Sequence, residues 1–280
     1  MTDYHNLITQ LSNAGISSPR LEARLLLAKV LECDDDSAEI FNINLTEENK
    51  KKLQDLLDRR IKKREPLDKI LGCKEFYKYK FVVNQNVLSP RPDTEILLEE
   101  ALKLTEKKAV SVLDLGTGSG CLLLSILKEN PSAQGVGIDS SEEALQVARI
   151  NAGKLDVEKQ VKWLKADWFD ADFLQQVKGP FDLIISNPPY IPNKDIEKLD
   201  DEVRLYDPFQ ALSGGEDGLT SYRRIAELAP FLLNAGGYVL LECGIGQAQA
   251  VADIFMEKNL SFCKTLKDLQ NIDRCVIVKK

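Results

Sequence analysis

The segment FDLIISNPPY (residues 181–190) combines an apolar run with a polar and aromatic turn. The run predicts a buried strand that ends at Asn187-Pro188-Pro189-Tyr190, because prolines lack the N–H group that a sheet ladder requires. The side-chain carbonyl of Asn187 and the backbone carbonyl of Pro188 can then accept both protons of a planar NH2 group, against which Tyr190 can pack. We therefore predict that Asn187, Pro188 and Tyr190 are catalytic. The whole turn would bind substrate and orient a poorly nucleophilic amide or aniline-like nitrogen.

The segment VSVLDLGTGSGCLLLSIL (residues 110–127) predicts a strand, a glycine-rich turn and a helix. Glycines in such a turn let the backbone pass close to a ligand before the helix begins. A dinucleotide fingerprint would need glycine in place of Cys121, and Asp114 would attract an amino-acid ammonium group but repel a pyrophosphate. The turn therefore predicts a different nucleotide site. Its candidate cofactor-binding residues are Asp114, Gly116, Thr117, Gly118, Ser119 and Gly120.

Acidic and aromatic residues also follow the next two predicted strands. Asp139 ends one strand, where a carboxylate can accept hydrogen bonds from ribose hydroxyls. After the following strand, Asp167 or the adjacent backbone can contact an adenine edge, and Trp168 can cover the adenine face. Each residue alone has an ordinary explanation, such as a helix-capping acid or a core aromatic. Together with Asp114, they predict a pocket for S-adenosylmethionine, an adenosine with a cationic amino-acid tail, and for its product S-adenosylhomocysteine.

The strands and helices that must position these residues alternate from residue 91 onward. Candidate strands lie at residues 111–115, 135–139, 161–165, 182–186, 237–242, 261–267 and 274–278. Helical patterns between the first five strands predict a mostly parallel, doubly wound α/β sheet. The last two strands follow each other closely and predict an antiparallel edge. Ser140 and Glu143 form a predicted capping box at the start of one helix.

The N-terminal part of the chain has a different pattern. Residues 1–75 contain apolar residues at helical spacing, which predicts a small helical bundle, and Thr46 is predicted to cap one of its helices. In residues 76–90, aromatic and β-branched residues alternate with polar ones. This alternation predicts a β-hairpin linker with a turn at 84–86. Residues 91–280 then form the predicted sheet domain.

Composition and charge disfavour several functional classes. The net charge of -7 argues against a general nucleic-acid-binding protein, and direct DNA binding is not expected. The N-terminus does not resemble a signal peptide, and no run approaches the roughly 18 apolar residues of a membrane span. Six scattered cysteines without a C-x-x-C pair predict reduced thiols in a cytoplasmic protein. The single histidine, His5, argues against a metal site and against Ser–His or Cys–His catalysis.

Residues 50–64 are locally basic, with eight Lys or Arg residues and two Asp residues. In an otherwise acidic protein, this stretch predicts a positive helix face opposite an apolar one. One hypothesis is that the basic face, including Arg60 and Lys63, helps to dock an acidic partner. The alternative is an ordinary solvated helix face.

The chain resembles the protein N5-glutamine methyltransferases that modify peptide chain release factors, the PrmC/HemK family. The resemblance covers nearly the whole chain, including the helical N-terminal domain. Its motifs in this sequence are EFYKYKFVVNQNVLSPRPDTE, DLGTGSG, ADWF, NPPYIP and YDPFQALSGGEDGL. The last motif contains Asp207 where the family more often has glutamate, and we assign this residue no role.

The resemblance implies a Rossmann-like class I S-adenosylmethionine-dependent methyltransferase sheet with a helical N-terminal domain that recognises the substrate. The implied reaction methylates the side-chain amide nitrogen (N5) of the glutamine in the Gly-Gly-Gln motif of class I release factors. By similarity, cofactor contacts fall on residues 116–120, Asp139, Trp168 and Asn187. The substrate glutamine would be held by residues 187–190.

Three other functions fit part of this pattern. An adenine-N6 DNA methyltransferase also acts on a planar NH2 group, but it would need a basic or aromatic-rich surface to bind DNA and flip the base. An NAD-dependent oxidoreductase is disfavoured by Cys121 and by the Asn-Pro-Pro-Tyr turn. A non-catalytic helical adaptor with a degenerate nucleotide domain is disfavoured by the intact pocket residues.

Overall fold

The computed structural model describes residues 3–34, 37–42, 44–106 and 108–280. The chain divides into two compact units. The helical unit comprises Met1–Cys73 and Asp200–Tyr206, and the sheet unit comprises Lys74–Leu199 and Asp207–Lys280. A short segment from the second half of the chain therefore belongs with the N-terminal helices.

The secondary structure follows the predicted division into helices and then alternating strands and helices. The helices are α1 (Asp3–Asn13), α2 (Pro19–Leu31), α3 (Glu39–Asn42), α4 (Glu47–Leu57), α5 (Leu67–Leu71), α6 (Glu95–Thr105), α7 (Cys121–Glu129), α8 (Glu142–Lys154), α9 (Phe173–Gln176), α10 (Asn193–Ile196), α11 (Asp201–Arg204), α12 (Phe209–Leu212), α13 (Thr220–Leu232) and α14 (Ala248–Met256). The strands are β1 (Cys73–Phe76), β2 (Tyr79–Val82), β3 (Ser111–Leu115), β4 (Gln134–Asp139), β5 (Val161–Lys165), β6 (Phe181–Ser186), β7 (Leu233–Glu242), β8 (Ser261–Lys267) and β9 (Asp273–Lys279). Short turns of other helix types are the π-helical turn Asp58–Lys62 and the 3-10 turns Pro92–Thr94 and Glu158–Gln160. Over the described ranges, no helix combines the length and the apolar character needed to cross a lipid bilayer.

The helical unit contains the bundle that the apolar spacing predicts. Thr46 caps α4, because its Oγ1 accepts a hydrogen bond from the Asn49 backbone N–H at 3.2 Å. Side chains from α1, α2 and α4 converge on one buried apolar core. This core includes Leu7, Leu11, Leu26, Leu27, Leu53 and Leu57. Burial of this apolar surface stabilises helices that are too short to be stable alone.

Arg60 is the centre of a buried ion-pair cluster in the helical unit. It lies in the π-helical turn and is only 6% exposed. Its guanidinium donates two hydrogen bonds to the Glu22 carboxylate, at 2.7 and 2.9 Å, and a third to Glu202 at 2.9 Å. Glu202 lies on α11, and the nearby Tyr206 hydroxyl donates to the Lys63 carbonyl at 2.6 Å. These bonds hold the short inserted segment against the N-terminal helices.

The expectation that Arg60 belongs to an exposed basic face is wrong. The acids that bind Arg60, Glu22 and Glu202, are distant from it in the sequence, so the local charge pattern does not reveal them. Other basic residues of the same stretch have acidic partners close in sequence, as in the pairs Lys50–Glu47, Lys52–Glu48, Lys62–Asp58 and Arg59–Glu65. The positive field of this stretch is therefore weaker than its composition indicates.

The sheet unit is built on a seven-stranded sheet with the order β5-β4-β3-β6-β7-β9-β8. The strands from β5 to β7 are parallel, whereas β9 runs antiparallel to both β7 and β8. All of the predicted strands of this sheet are present, with limits that differ by a few residues. The predicted fold class and the predicted antiparallel edge are therefore confirmed.

Both faces of this sheet are buried, which is usual for parallel strands. Leu113 and Ile184 pack into a core that includes residues of α13 and α14. Val112 and Leu183, their neighbours along the strands, pack into a second core with residues of α6 and α7. Because side chains alternate along a strand, the two apolar cores cover both faces of the sheet. The strand ends are therefore left for polar functional residues.

The β-hairpin lies earlier in the chain than predicted. β1 and β2 are joined by Tyr77 and Lys78, and Tyr77 has a left-handed φ of 55°. The predicted turn at 84–86 is a separate turn, in which Asn84 Oδ1 accepts from the Asn86 N–H at 2.9 Å. The asparagines were the stronger turn signal in the sequence, because tyrosine rarely adopts a positive φ.

We expect Arg60→Met to lower the free energy of unfolding by about 3–5 kcal/mol, because it leaves the buried Glu22 carboxylate without its partner. Urea denaturation of the full chain, followed by circular dichroism, would measure this loss. The double variant Glu22→Met/Arg60→Met should recover most of it, since apolar side chains can replace a buried ion pair.

Lys63→Met is the matched control, because this neighbouring side chain is exposed. Its effect should stay within about 0.5 kcal/mol. A loss below about 1 kcal/mol for Arg60→Met would show that the cluster is not required for stability.

Candidate active site

A cavity of about 850 Å³ lies in the sheet unit at the carboxyl ends of its parallel strands. It is lined by the glycine-rich turn after β3, by residues at the ends of β4 and β5, and by Asn187 after β6. Parts of two further segments complete the wall: 85–91, and 208–215, which includes the short helix α12. The volume suits a nucleotide-sized ligand, and open α/β sheets bind ligands at this edge.

The glycine-rich turn follows β3 directly. The backbone N–H groups of Gly116 and Thr117 donate to the Ile138 carbonyl, both at 2.9 Å, and this fixes the path of the turn. Gly116 and Gly118 have positive φ values of 72° and 54°. A Cβ atom at Gly116 would lie 3.2 Å from the Trp168 ring, whereas one at Gly118 would meet no atom within 4 Å. Gly116 therefore makes room for the indole, and Gly118 leaves space in the cavity wall.

Gly120 and Ser119, also predicted to bind cofactor, have clear packing roles. Gly120 precedes α7 with a φ of 80°, and a Cβ atom there would lie 2.8 Å from the Leu124 side chain. The Ser119 carbonyl accepts from Asn151 Nδ2 at 2.9 Å. Asn151 Oδ1 also accepts from the Val82 N–H at 2.7 Å, so this one side chain ties the hairpin to the glycine-rich turn.

Asp114 is buried near the end of β3, with 1% of its surface exposed. Its Oδ2 accepts a hydrogen bond from the Thr117 hydroxyl at 2.7 Å. Desolvation, with a smaller contribution from Asp139, raises the pKa of Asp114 to about 7. An ammonium group against this carboxylate would favour its charged form, so the residue fits the predicted amino-acid tail.

Asp139 connects the glycine-rich turn to the start of α8. Its Oδ2 accepts from the Gly118 N–H at 2.9 Å and its Oδ1 from the Ser141 N–H at 3.0 Å, while burial raises its pKa. Each carboxylate oxygen has a further lone pair, so acceptors remain for ribose hydroxyls.

The predicted capping box at Ser140 is wrong by one residue, because Ser141 Oγ accepts from the Ala144 N–H at 3.0 Å. The turn that Asp139 forms with Ser141 delays the start of the helix.

Asp167 and Trp168 line the cavity after β5. Asp167 Oδ1 accepts from the Phe169 N–H at 2.9 Å, and Arg224 Nε donates to the Trp168 carbonyl at 2.6 Å. The indole N–H of Trp168 is buried without a hydrogen-bond partner among the described residues. Buried donors are almost always satisfied, so an acceptor on a bound ligand would complete this part of the wall. These features fit the predicted adenosine cofactor.

The Asn-Pro-Pro-Tyr turn contributes two residues to the cavity wall, Asn187 and Pro189. Pro188 is buried next to them. The Tyr190 ring packs near Gly244, where a Cβ atom would lie 3.1 Å from Tyr190 Cδ2, and burial raises the pKa of Tyr190. The structure thus brings Asn187 and Pro189 beside the glycine-rich turn, and it packs the tyrosine ring against the protein.

Glu242 and Thr94 belong to this site but were missed by sequence reasoning. Glu242 ends β7, the neighbour of β6, and is 3% exposed. Thr94 Oγ1 donates to Glu242 Oε2 at 2.5 Å and accepts from Asn187 Nδ2 at 3.3 Å. Desolvation raises the pKa of Glu242 to about 7. The available signal was an acid at the end of an apolar strand, the same pattern that identified Asp114 and Asp139.

The loop wall of the cavity was also missed. Arg91 Nη2 donates to Asp207 Oδ2 at 2.7 Å, and this ion pair joins segment 85–91 to the residue that directly precedes segment 208–215. The Asp207 side chain is buried, whereas Arg91 is partly exposed. Asp207, which had no role in the sequence analysis, therefore positions part of the cavity wall.

Comparison with known proteins places these features in a family. A PrmC N-terminal domain model matches residues 4–72, and a methyltransferase domain model matches residues 106–242. The release factor glutamine methyltransferase of Caulobacter vibrioides is 43% identical over 272 residues, covering 96% of this chain and 92% of that relative. The chain belongs to the release factor glutamine methyltransferase family. The predicted resemblance is therefore confirmed.

A second relative supports this family assignment, and a solved structure supports the fold. The relative from Geobacter sulfurreducens is 42% identical over 268 residues, covering 95% of this chain and 91% of its own length. The crystal structure of a methyltransferase from Pyrococcus furiosus has a TM-score of 0.54 at 20% sequence identity, covering 71% of this chain and 88% of that chain. The structural likeness shows the methyltransferase fold.

We expect Asp139→Ala to weaken the binding of S-adenosylmethionine, because it removes the acceptor predicted for the ribose hydroxyls. A charge-assisted hydrogen bond contributes about 1.5–3 kcal/mol, so the dissociation constant should rise by about tenfold or more. Isothermal titration calorimetry with the purified chain would measure this change.

Asp182→Ala is the matched control for this experiment. Asp182 also accepts a backbone hydrogen bond, from the Ser111 N–H at 2.8 Å, but it lies near the amino end of β6, at the edge of the parallel sheet opposite to Asp139. Its loss should leave cofactor affinity unchanged. An unchanged affinity in Asp139→Ala would show that the ribose binds elsewhere.

Proposed function

We propose that this protein transfers a methyl group from S-adenosylmethionine to the side-chain amide nitrogen (N5) of the glutamine in the Gly-Gly-Gln motif of class I peptide chain release factors. The observation that carries the proposal is the position of Asn187, which lines the same cavity as Asp114 and Asp139. Acceptors for an amide NH2 group therefore lie beside acceptors for an ammonium group and a ribose. The names of the relatives with 43% and 42% identity support the substrate.

The cavity residues have the chemistry to hold this cofactor. Bound S-adenosylmethionine supplies an electrophilic methyl carbon on a sulfonium sulfur. Asp114 accepts from the ammonium group, and Asp139 accepts from the ribose hydroxyls. Asp167 and the unpartnered indole N–H of Trp168 contact the adenine side. The same residues hold the product, S-adenosylhomocysteine.

The substrate amide is activated by orientation. Its nitrogen is a weak nucleophile, because the lone pair is delocalised into the carbonyl group. In our proposal, Asn187 Oδ1 and the Pro188 carbonyl accept its two N–H bonds and direct the nitrogen into the cavity. As the nitrogen–methyl bond formed, the methyl–sulfur bond would break and its electron pair would stay on the sulfur of S-adenosylhomocysteine. The nitrogen would become more positive, and the two carbonyl dipoles would stabilise that charge until one proton left to water. Pro189 and Tyr190 stiffen the turn and limit the access of water.

The helical unit recognises the release factor in this proposal. The match of residues 4–72 to the PrmC N-terminal domain supports this role. The exposed Lys51 and Lys63 remain candidates for contact with an acidic surface of the partner. We place the protein in the cytoplasm, where release factors act, and we expect no direct DNA binding and no membrane attachment.

Mass spectrometry of a purified class I release factor would test the proposed function. After incubation with this protein and isotope-labelled S-adenosylmethionine, we expect one added methyl group on the Gly-Gly-Gln side chain. Duplex DNA incubated in parallel should gain none. Labelled adenine in the DNA, with an unmodified release factor, would contradict the proposal and favour a DNA methyltransferase.

We expect Asn187→Ala to lower turnover by about 100-fold or more, because one of the two acceptors that orient the amide is lost. Cofactor affinity should change much less, since Asp114 and Asp139 remain. A radiolabel transfer assay and calorimetry would measure the two effects separately. Asn234→Ala is the control, because Asn234 binds Asp182 at the other end of the strands. Near-normal turnover in Asn187→Ala would exclude its role in orientation.

A further inference from the structure

Thr94, Asn187 and Glu242 form a hydrogen-bonded chain that runs from the cavity wall into the protein. Thr94 and Asn187 line the cavity, whereas Glu242 is buried at the end of β7. Thr94 Oγ1 is 2.5 Å from Glu242 Oε2, and Asn187 Nδ2 is 3.3 Å from Thr94 Oγ1. The 3-10 turn before α6, the turn after β6 and the end of β7 therefore meet at this chain.

The charge of Glu242 sets the direction of each hydrogen bond in this chain. A carboxylate only accepts, so the Thr94 hydroxyl must donate its single proton to Glu242. The Thr94 oxygen then offers only lone pairs to Asn187, and the Asn187 amide must turn its NH2 group toward Thr94. The other end of the planar amide, Oδ1, is left for the cavity.

We propose that Glu242 is a positioning residue, which acts through Thr94 to hold the Asn187 amide with its oxygen toward the substrate nitrogen. This inference rests on the proposed function, in which Asn187 Oδ1 accepts a hydrogen bond from the glutamine NH2 group. If the Asn187 amide turned over, its own NH2 group would face the substrate NH2 group, and two donors cannot bond to each other. Glu242 thus selects the productive one of two amide orientations.

The groups that face Glu242 come from several elements. Among them, Asp93 opposes ionisation of Glu242, whereas Arg274 and the hydrogen bond from Thr94 favour it. Burial raises the pKa values of the other titratable groups that face it, so they stay neutral near pH 7. These groups are Tyr190, Tyr222, Cys121, Cys243 and Cys275. Because desolvation outweighs these partners and raises the pKa of Glu242 to about 7, its charge changes in the range in which activity is measured.

Glu242→Gln tests the inference. Glutamine keeps the shape of the side chain, but its NH2 group can donate to Thr94 and so reverse the direction of the hydrogen bonds between residues 242, 94 and 187. With saturating S-adenosylmethionine and a purified release factor, we expect kcat to fall by about 10- to 100-fold, with a cofactor dissociation constant within about twofold of the wild-type value. Thr94→Val removes the hydroxyl link and should cause a similar loss. Thr94→Ser keeps the link and should retain most of the wild-type kcat.

Glu100→Gln is the matched control, because Glu100 is also a buried acid but pairs with Lys264 at 2.8 Å, outside the cavity wall. This variant should keep the wild-type kcat.

A pH profile separates positioning from a general structural role. The wild-type kcat should fall as the pH decreases through about 7, since protonated Glu242 can donate to Thr94 and release the Asn187 amide. The Glu242→Gln profile should lose this step.

The side-chain amide signal of Asn187 in nuclear magnetic resonance spectra provides a readout that needs no turnover. This signal, identified by its absence in Asn187→Ala, should shift with pH near neutrality in the wild type and not in Glu242→Gln. A wild-type kcat in Glu242→Gln, or an Asn187 signal that does not respond to pH in the wild type, would overturn the inference. If the wild type itself fails to methylate the release factor, the proposed function fails, and the Asn187 titration still decides whether Glu242 controls the amide.

Discussion

The whole site depends on one constraint, which is that the paired strands from β5 to β7 all run in the same direction. β4, β3, β6 and β7 lie in this order in the sheet and run parallel, so their carboxyl ends meet at one edge. That edge collects Asp139, Asp114, Asn187 and Glu242 from distant parts of the chain. The apolar cores on both faces hold the strands in register, and the loops then cover an edge that is already polar. The chemistry of the site is therefore a consequence of sheet topology.

Much of this arrangement could be predicted because its signals are local. An apolar run that ends in an acid or an asparagine predicts a buried strand and also the polar side chain at the carboxyl end of that strand, as for Asp139 and Asn187. Glu242 ends its strand in the same way, but its role depends on Thr94, which reaches it only in the folded chain. The local sequence pattern identifies a residue at the end of a strand. The function of that residue also depends on partners that are distant in the sequence and reach it only in the folded protein.

The errors in the helical unit and in the hairpin have the same physical origin. The basic sequence neighbours of Arg60 predict an exposed side chain, yet in the folded structure Arg60 is buried in an ion pair with Glu22. The asparagine-rich triplet at 84–86 predicts the hairpin turn, but the two strands are joined at Tyr77, in a conformation that tyrosine seldom adopts. In both cases a tertiary interaction overrides a correct local preference. That interaction joins residues that are distant in the sequence, so a short stretch of sequence does not reveal it.

Burial of acids at the strand ends links the site to the stability of the fold. The pKa values of Asp114 and Glu242 are raised to about 7, above the value of about 4 expected for both groups in the unfolded chain. Between these two pH values the folded protein binds more protons than the unfolded one, so the stability contributed by these groups decreases as pH rises from about 4 to about 7. Above that range the buried charges remain a net cost, which the two apolar cores must offset. A cation held against Asp114 would lower its pKa again and recover part of that cost. Asp114 lines the cavity, whereas Glu242 is buried behind its wall, so cation binding and stability are coupled through Asp114.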